Sequence, residues 1–263
     1  MTVPQPQLFV DVNERVTLGP KVSSPANIDL RIDYFATHAD NIHKALSKNG
    51  VAALTTHFLQ RYQGLSKSVT ENKPLRIEET PDEGRVSIFG SYAIENPWKK
   101  SGTGKAANQR VSFSIADRDL VNDLAPLKPN EQRTNDIFLG PPRILRRRLE
   151  FNMPRPWDAS HSLDVDEKKG LRYKKSIVPI HSMQIVQEQE LTISALTLPA
   201  TSAGDYERIV QKIVDLPVLS VSSAVKGDKL VHNGGSRNSN ARIAIYIIWM
   251  ILVLLSMLAG SFH

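Results

Sequence analysis

Alternation of apolar and polar residues dominates most of this chain. Ile28, Leu30, Ile32 and Tyr34 alternate with Asp29, Arg31 and Asp33, and Val111, Phe113 and Ile115 alternate with Ser112 and Ser114. A period of two sends successive side chains to opposite faces of a strand, so both stretches predict half-buried strands. Leu75-Arg76-Ile77 and Val86–Ile94 flank the turn sequence Pro81-Asp82-Glu83-Gly84 and predict a hairpin. Leu191, Ile193, Leu196 and Leu198 predict another strand, paired with Met183–Gln187. Shorter strands are expected at Leu8–Val12, Ile137–Leu139 and Val218–Val221.

Helical periodicity is confined to two regions. Ile42 and Leu46 form one apolar stripe, and Leu54, Phe58, Tyr62 and Leu65 form another. Asn49-Gly50 between them is a helix-ending signature, so two short helices are predicted. Tyr206, Ile209, Val210, Ile213 and Val214 follow the spacing of one helix face. Ser202 precedes them, Asp205 and Glu207 lie in the first turn, and Pro217 follows. Many strands, two helical clusters and no strand–helix alternation predict an α+β fold. Its core would be a mainly antiparallel sheet or sandwich with a few packed helices.

The pattern then changes abruptly. From Ile243 to Gly260 the chain reads IAIYIIWMILVLLSMLAG, with no charged residue. A helix of that length spans about 27 Å, close to the hydrocarbon thickness of a bilayer. A backbone in lipid must satisfy its own polar groups, so one transmembrane helix is expected. Arg242 marks its upstream edge, and Tyr246 and Trp249 follow where amphipathic rings favour the interface. Residues 223–242 are small, polar and rich in Gly, Asn and Ser, which predicts a flexible stalk. The expected organisation is thus a head at 1–222, a stalk at 223–242 and an anchor at 243–260. Lys226, Lys229, Arg237 and Arg242 precede the span against Asp228 alone, and no Lys or Arg follows it. The positive-inside rule puts the head in the cytoplasm, as in a tail-anchored, single-pass protein of an endoplasmic-reticulum-type or bacterial inner membrane.

Composition narrows the chemistry. The absence of cysteine excludes a disulfide framework, a Cys-ligated zinc or iron–sulfur site and a thiol nucleophile. The net charge of +6 is unevenly placed. Residues 1–98 hold 10 basic and 11 acidic side chains, residues 99–175 hold 17 and 10, and residues 176–263 hold 6 and 6. The middle segment contains Lys99, Lys100, Lys105 and Arg110, then Arg143, Arg146, Arg147 and Arg148, then Lys168, Lys169, Arg172, Lys174 and Lys175. Arginine suits bidentate recognition of phosphate, so these residues predict an anion-binding surface for nucleic acid or anionic lipid. In a strand, however, Arg146 and Arg148 would share one face and Arg147 the other. Only Phe151 lies near the arginine run, which disfavours a base-stacking reader.

Catalytic signatures are weak. Lys99–Ala106 has Lys where a phosphate loop needs its first Gly, and Ala where it needs a hydroxyl. His38, Asp40 and His43 form one group of ligand-type residues, and Asp158, His161, Asp164 and Asp166 another. Neither has the spacing of a metal motif. Asp40 fits a helix start, and Asp164–Lys169 reads as a charged turn. Tyr92 and Trp98 fit core positions, and no cofactor or metal is expected. The sequence therefore predicts a non-enzymatic, membrane-tethered scaffold or adaptor. It would bring an anionic or a protein partner to the cytosolic membrane face, with homo-oligomers forming in the membrane plane. A tethered hydrolase or transferase using either ligand-type group is the alternative. The plan is similar to that of some viral matrix, movement and nuclear-egress proteins, an analogy of layout that no residue motif carries.

Overall fold

The computed structural model describes residues 5–63, 68–101, 110–115, 120, 124, 134–157, 159–215 and 219–231. In chain order its first strands are β1 (Gln7–Leu18), β2 (Ala26–Phe35), β3 (Val69–Thr80), β4 (Arg85–Ile94), β5 (Lys99–Ser101), β6 (Arg110–Ile115) and β7 (Ile137–Phe138). Next come β8 (Arg143–Asn152), β9 (Ser162–Lys168), β10 (Leu171–His181), β11 (Gln184–Ile193), β12 (Thr197–Leu198), β13 (Leu219–Lys226) and β14 (Lys229–Val231). Among the described residues the α-helical elements are α1 (Ala36–Gln63) and α2 (Ala203–Asp215). This is an α+β fold with a large, mostly antiparallel sheet.

That sheet has eight strands in the order β3-β4-β2-β1-β8-β11-β10-β9. It consists of two antiparallel blocks, each drawn from one stretch of sequence: β3-β4-β2-β1, and β8-β11-β10-β9. A single parallel seam between β1 and β8 joins them. Among the described residues a second sheet, β14-β13-β6-β5, and a short β12–β7 pair complete the strands.

One face of the large sheet, here the inner face, is covered. Val12, Val16, Ile28, Leu30, Ile32, Ile88, Tyr92, Leu149 and Phe151 meet α1 and the second sheet in one apolar cluster. Leu145, Tyr173, Leu191 and Ile193 meet Tyr206, Ile209 and Ile213 of α2 in another. α1 breaks at Gly50, whose φ of 75° lies in the left-handed region that glycine tolerates. The stretch beyond it buries Leu54, Phe58 and Tyr62 at intervals of four. The Tyr62 ring lies 5.0 Å from that of Tyr92. Gly90 makes room for Tyr92, since a Cβ at Gly90 would lie 2.6 Å from its hydroxyl.

The two apolar clusters are separated by a buried charge centre at the seam. Glu14 of β1 and Arg147 of β8 are 3% and 2% exposed. Arg147 Nε donates to Glu14 Oε2 at 2.7 Å, and its Nη2 donates to the same oxygen. The Tyr62 hydroxyl and Arg61 Nη2 donate to Glu14 Oε1 at 2.7 and 3.1 Å. One carboxylate thereby ties both blocks and α1 together. On the opposite face Arg15 crosses the same seam to Glu150 at 2.9 Å.

Several expectations are revised. Met183–Gln187 and Leu191–Ile193 do not pair with each other; residues from Gln184 to Ile193 form one strand, β11. Its inward positions 187 and 189 are glutamines, which interrupt the apolar period. Leu198 lies instead in β12, paired with β7. The charged turn read at Asp164–Lys169 is mostly β9, with the chain reversing at Lys169-Gly170. Residues 223–231, read as the start of a stalk, are strand through Lys226 and from Lys229 to Val231. Asp40 is not at the start of α1, which begins at Ala36. The segment 243–260, with Arg242, Tyr246 and Trp249, lies outside the described residues. Among the described residues no helix is long and apolar enough to cross a membrane.

Burial pushes the Glu14 carboxyl up, but Arg147, then Arg61, and the Tyr62 hydroxyl outweigh it and hold it at about 2, against an ordinary 4.5. A depressed carboxylate pKa stabilises the fold fully above about pH 4.5 and loses that contribution as pH falls through about 2. Glu14→Gln is expected to destabilise the protein by about 3–5 kcal/mol at pH 7, because Arg147 keeps its buried charge without a counter-charge. Denaturant titrations of both proteins from pH 7 to 2 should show the difference shrinking toward the acid end.

Candidate functional site

Strand alternation sorts the predicted basic residues onto two faces. Arg143 and Arg147 of β8 and Lys175 of β10 point to the inner face; Arg146, Arg148, Arg172 and Lys174 lie on the outer face. The predicted cluster is therefore not one surface.

The inner residues serve the fold. Arg143 Nη1 donates to the carbonyls of Leu139 and Pro141 at 2.6 and 3.1 Å. Arg147 belongs to the Glu14 centre. Lys175 shares a cross-strand row with Arg147 and Gln189, and burial lowers its ammonium pKa while Asp164 opposes that shift. Gln187 and Gln189 are 1% and 4% exposed. Gln189 Nε2 donates to the Tyr173 hydroxyl at 2.9 Å. Its Oε1 has no hydrogen-bond partner, and neither do the two polar atoms of the Gln187 amide. A polar belt thus crosses the inner face from Glu14 to Lys175.

The outer residues form a ladder of alternating sign. Arg146 pairs with Glu190 at 2.9 Å, Arg148 with Glu188 at 2.6 Å, and Arg172 with Glu167 at 3.7 Å. Arg31 pairs with Asp33 at 3.0 Å, and Arg76 pairs with Glu78. The Phe89 ring sits among them, 4.1 Å from the Arg76 guanidinium and 5.6 Å from that of Arg31. A shallow groove here is lined by Asn13, Arg15, Asp29, Arg31, Phe89, Arg148 and Glu150. Among the described residues no helix packs on this face, which makes it the candidate functional site. Asp11 and Asp33 stand directly opposite each other in it. Burial, then the Asp33 charge, raises the Asp11 pKa against the pull of Arg146.

The remaining predicted residues are dispersed. Lys99, Lys100 and Arg110 are exposed on the second sheet, where Arg110 reaches Ser222 at 3.4 Å. Lys105 lies outside the described residues. Lys168 approaches Asp205 at 3.9 Å, and Lys169 is exposed at the turn. Neither ligand-type group converges. His38 packs edge-on against Phe9 and His43 pairs with Glu79 at 3.3 Å, while Asp40 is exposed. Asp164 binds Lys212 at 2.8 Å and Asp166 binds Arg208 at 3.0 Å, while His161 is exposed and Asp158 lies outside the described residues. Among the described residues no group of three or more His, Asp or Glu is placed to hold a metal ion.

Sequence reasoning missed Arg15, Arg31, Arg76 and Phe89. Their only sequence signal is outward placement in β1 to β4, and it appears once strand order is known. No protein-family model, no curated protein and no solved structure matches the chain.

Gln187→Leu is expected to raise stability by about 1–3 kcal/mol, because it removes two buried polar atoms that have no partner. A lower denaturation midpoint than in the native protein would show instead that this amide is paired in solution.

Proposed function

We propose that this protein is a membrane-tethered, non-enzymatic scaffold whose open sheet face receives a protein partner. Residues 243–260 form the tether and the head lies in the cytoplasm. The observation that carries the partner class is the outer ladder, in which Arg146, Arg148, Arg172, Arg31 and Arg76 each face a carboxylate. A phosphate backbone needs uncompensated positive charge that releases counterions on binding. A face of alternating sign instead offers register and selectivity to a complementary protein surface, because mispaired like charges are penalised.

Anionic lipid is supported at a different place. Lys21, Lys226 and Lys229 are exposed around the β13–β14 turn, where Lys21 forms a bridge with Lys229. Val231 ends that hairpin shortly before the apolar segment begins at Ile243. Each such cation contributes about 1 kcal/mol near an acidic membrane surface.

The tether is tested by alkaline extraction of membranes containing the full chain, which is expected to stay with the lipid; release into the supernatant would refute it. For the partner class, the absence of cysteine allows a photo-crosslinker at Ser91→Cys on the outer face. Polypeptide adducts of discrete mass are expected in native membranes. Saturable, salt-sensitive binding of a single-stranded RNA oligomer to the full chain in neutral micelles, abolished by Arg148→Glu, would return the face to nucleic acid.

A further inference from the structure

The four strands of the second sheet, β5, β6, β13 and β14, contain no acidic residue. Val111, Phe113, Val221, Val225 and Leu230 turn their side chains into the core. Lys99 pairs with Ser112, Arg110 with Ala224 and Lys226 with Lys229, so strand alternation puts these four cations together on the outward side. All four are exposed, as are Ser220 and Ser222 among them, and Arg110 Nη2 donates to the Ser222 hydroxyl at 3.4 Å. Lys21 joins the group through its bridge to Lys229. Among the described residues none of these five cations is ion-paired to a carboxylate. Asp228, in the β13–β14 turn, is held by the Ser23 amide and hydroxyl at 2.8 and 2.6 Å. The outer face of the large sheet is the reverse case, since Arg31, Arg146 and Arg148 each meet a carboxylate there.

We propose that the outward face of the second sheet lies on the acidic lipid headgroups of the membrane that holds residues 243–260. Its unpaired lysines and arginine meet lipid phosphates and carboxylates, and the serine hydroxyls donate to the same oxygens. The positive charge continues along the chain, because from Lys229 through Arg237 to Arg242 there is no Asp or Glu. At about 3.3–3.6 Å per residue, the chain from Val231, which ends β14, to Ile243 reaches no further than about 43 Å, so the tether keeps this face within reach of the bilayer. The aromatic residue of these strands, Phe113, is buried, which leaves the outward side without a ring on which a base could stack and favours lipid over single-stranded nucleic acid. The inference rests on the tether and deepens the lipid reading from one turn to a whole sheet face. It does not depend on what binds the large sheet.

A single introduced cysteine can report the contact, since the chain has none. The full chain is placed in vesicles of phosphatidylcholine, or of an equal mixture of phosphatidylcholine and phosphatidylserine, with spin-labelled headgroups. A fluorophore at Ser220→Cys is expected to be quenched in the mixed vesicles and released in about 1 M salt, where the Debye length falls to about 3 Å. The same fluorophore at Ser91→Cys, on the outer face of the large sheet, should stay bright. Lys229→Gln is expected to lower the ratio of docked to free head about fivefold, with unchanged circular dichroism. Equal quenching at both positions, equal quenching in phosphatidylcholine alone, or no effect of Lys229→Gln would overturn the proposal. A chain that fails to float with phosphatidylcholine vesicles would refute the tether and this inference with it, whereas one that floats but stays bright at Ser220→Cys refutes the inference alone. Salt-sensitive binding of a double-stranded RNA oligomer to the full chain in phosphatidylcholine vesicles, lost in Arg110→Gln, would give the face to nucleic acid and overturn the lipid assignment.

Discussion

One buried carboxylate organises this fold. Glu14 lies where the two antiparallel blocks meet, and its oxygens are held by Arg147 from the second block and by Arg61 and Tyr62 from α1. Desolvating charges is costly, and an isolated buried Glu or Arg would be far less stable than a neutral residue. The arrangement is favourable only when all four groups are present, which makes it a register device as much as a source of stability. A slip of one residue between β1 and β8 would send Arg147 to the outer face and leave Glu14 buried without its counter-charge.

The same alternation gives the large sheet two different surfaces. Inward positions supply the apolar clusters and the polar belt between them. Outward positions supply arginines and carboxylates that neutralise one another, across strands at Arg146, Arg148 and Arg172 and along their own strands at Arg31 and Arg76. A segment with a large excess of basic residues therefore yields no strongly positive face in the large sheet. Charge counted along the chain and charge presented in space differ because Arg146 and Arg148 pair across strands with Glu190 and Glu188, 44 and 40 residues away.

Local periodicity made much of the fold legible. β2, the β3–β4 hairpin, β6 and α2 all follow from spacing, and the break in α1 follows from Asn49-Gly50. Reading failed where the inner face is polar for tertiary reasons. Gln187 and Gln189 hid β11, and Asp164 and Asp166 made β9 look like a turn because their cations come from α2. The candidate face was half legible: opposite orientations for Arg146 and Arg147 follow from the pleat alone. Which of them is buried depends on Glu14, 133 residues away, and no local pattern encodes that.

The parallel seam also constrains how the molecule is made. Antiparallel neighbours in each block are nearer in sequence than the β1–β8 pair, even where α1 intervenes between β2 and β4, so each block can form before the seam closes. The β1–β8 ladder must wait until the intervening chain has been synthesised and its closure entropy overcome. Until then β1 is an open edge, with Val12 and Val16 on its apolar side and Glu14 among them unneutralised by Arg147. The nascent first block is therefore the species most exposed to aggregation and to chaperone capture, and joining the seam is the step that ends that exposure.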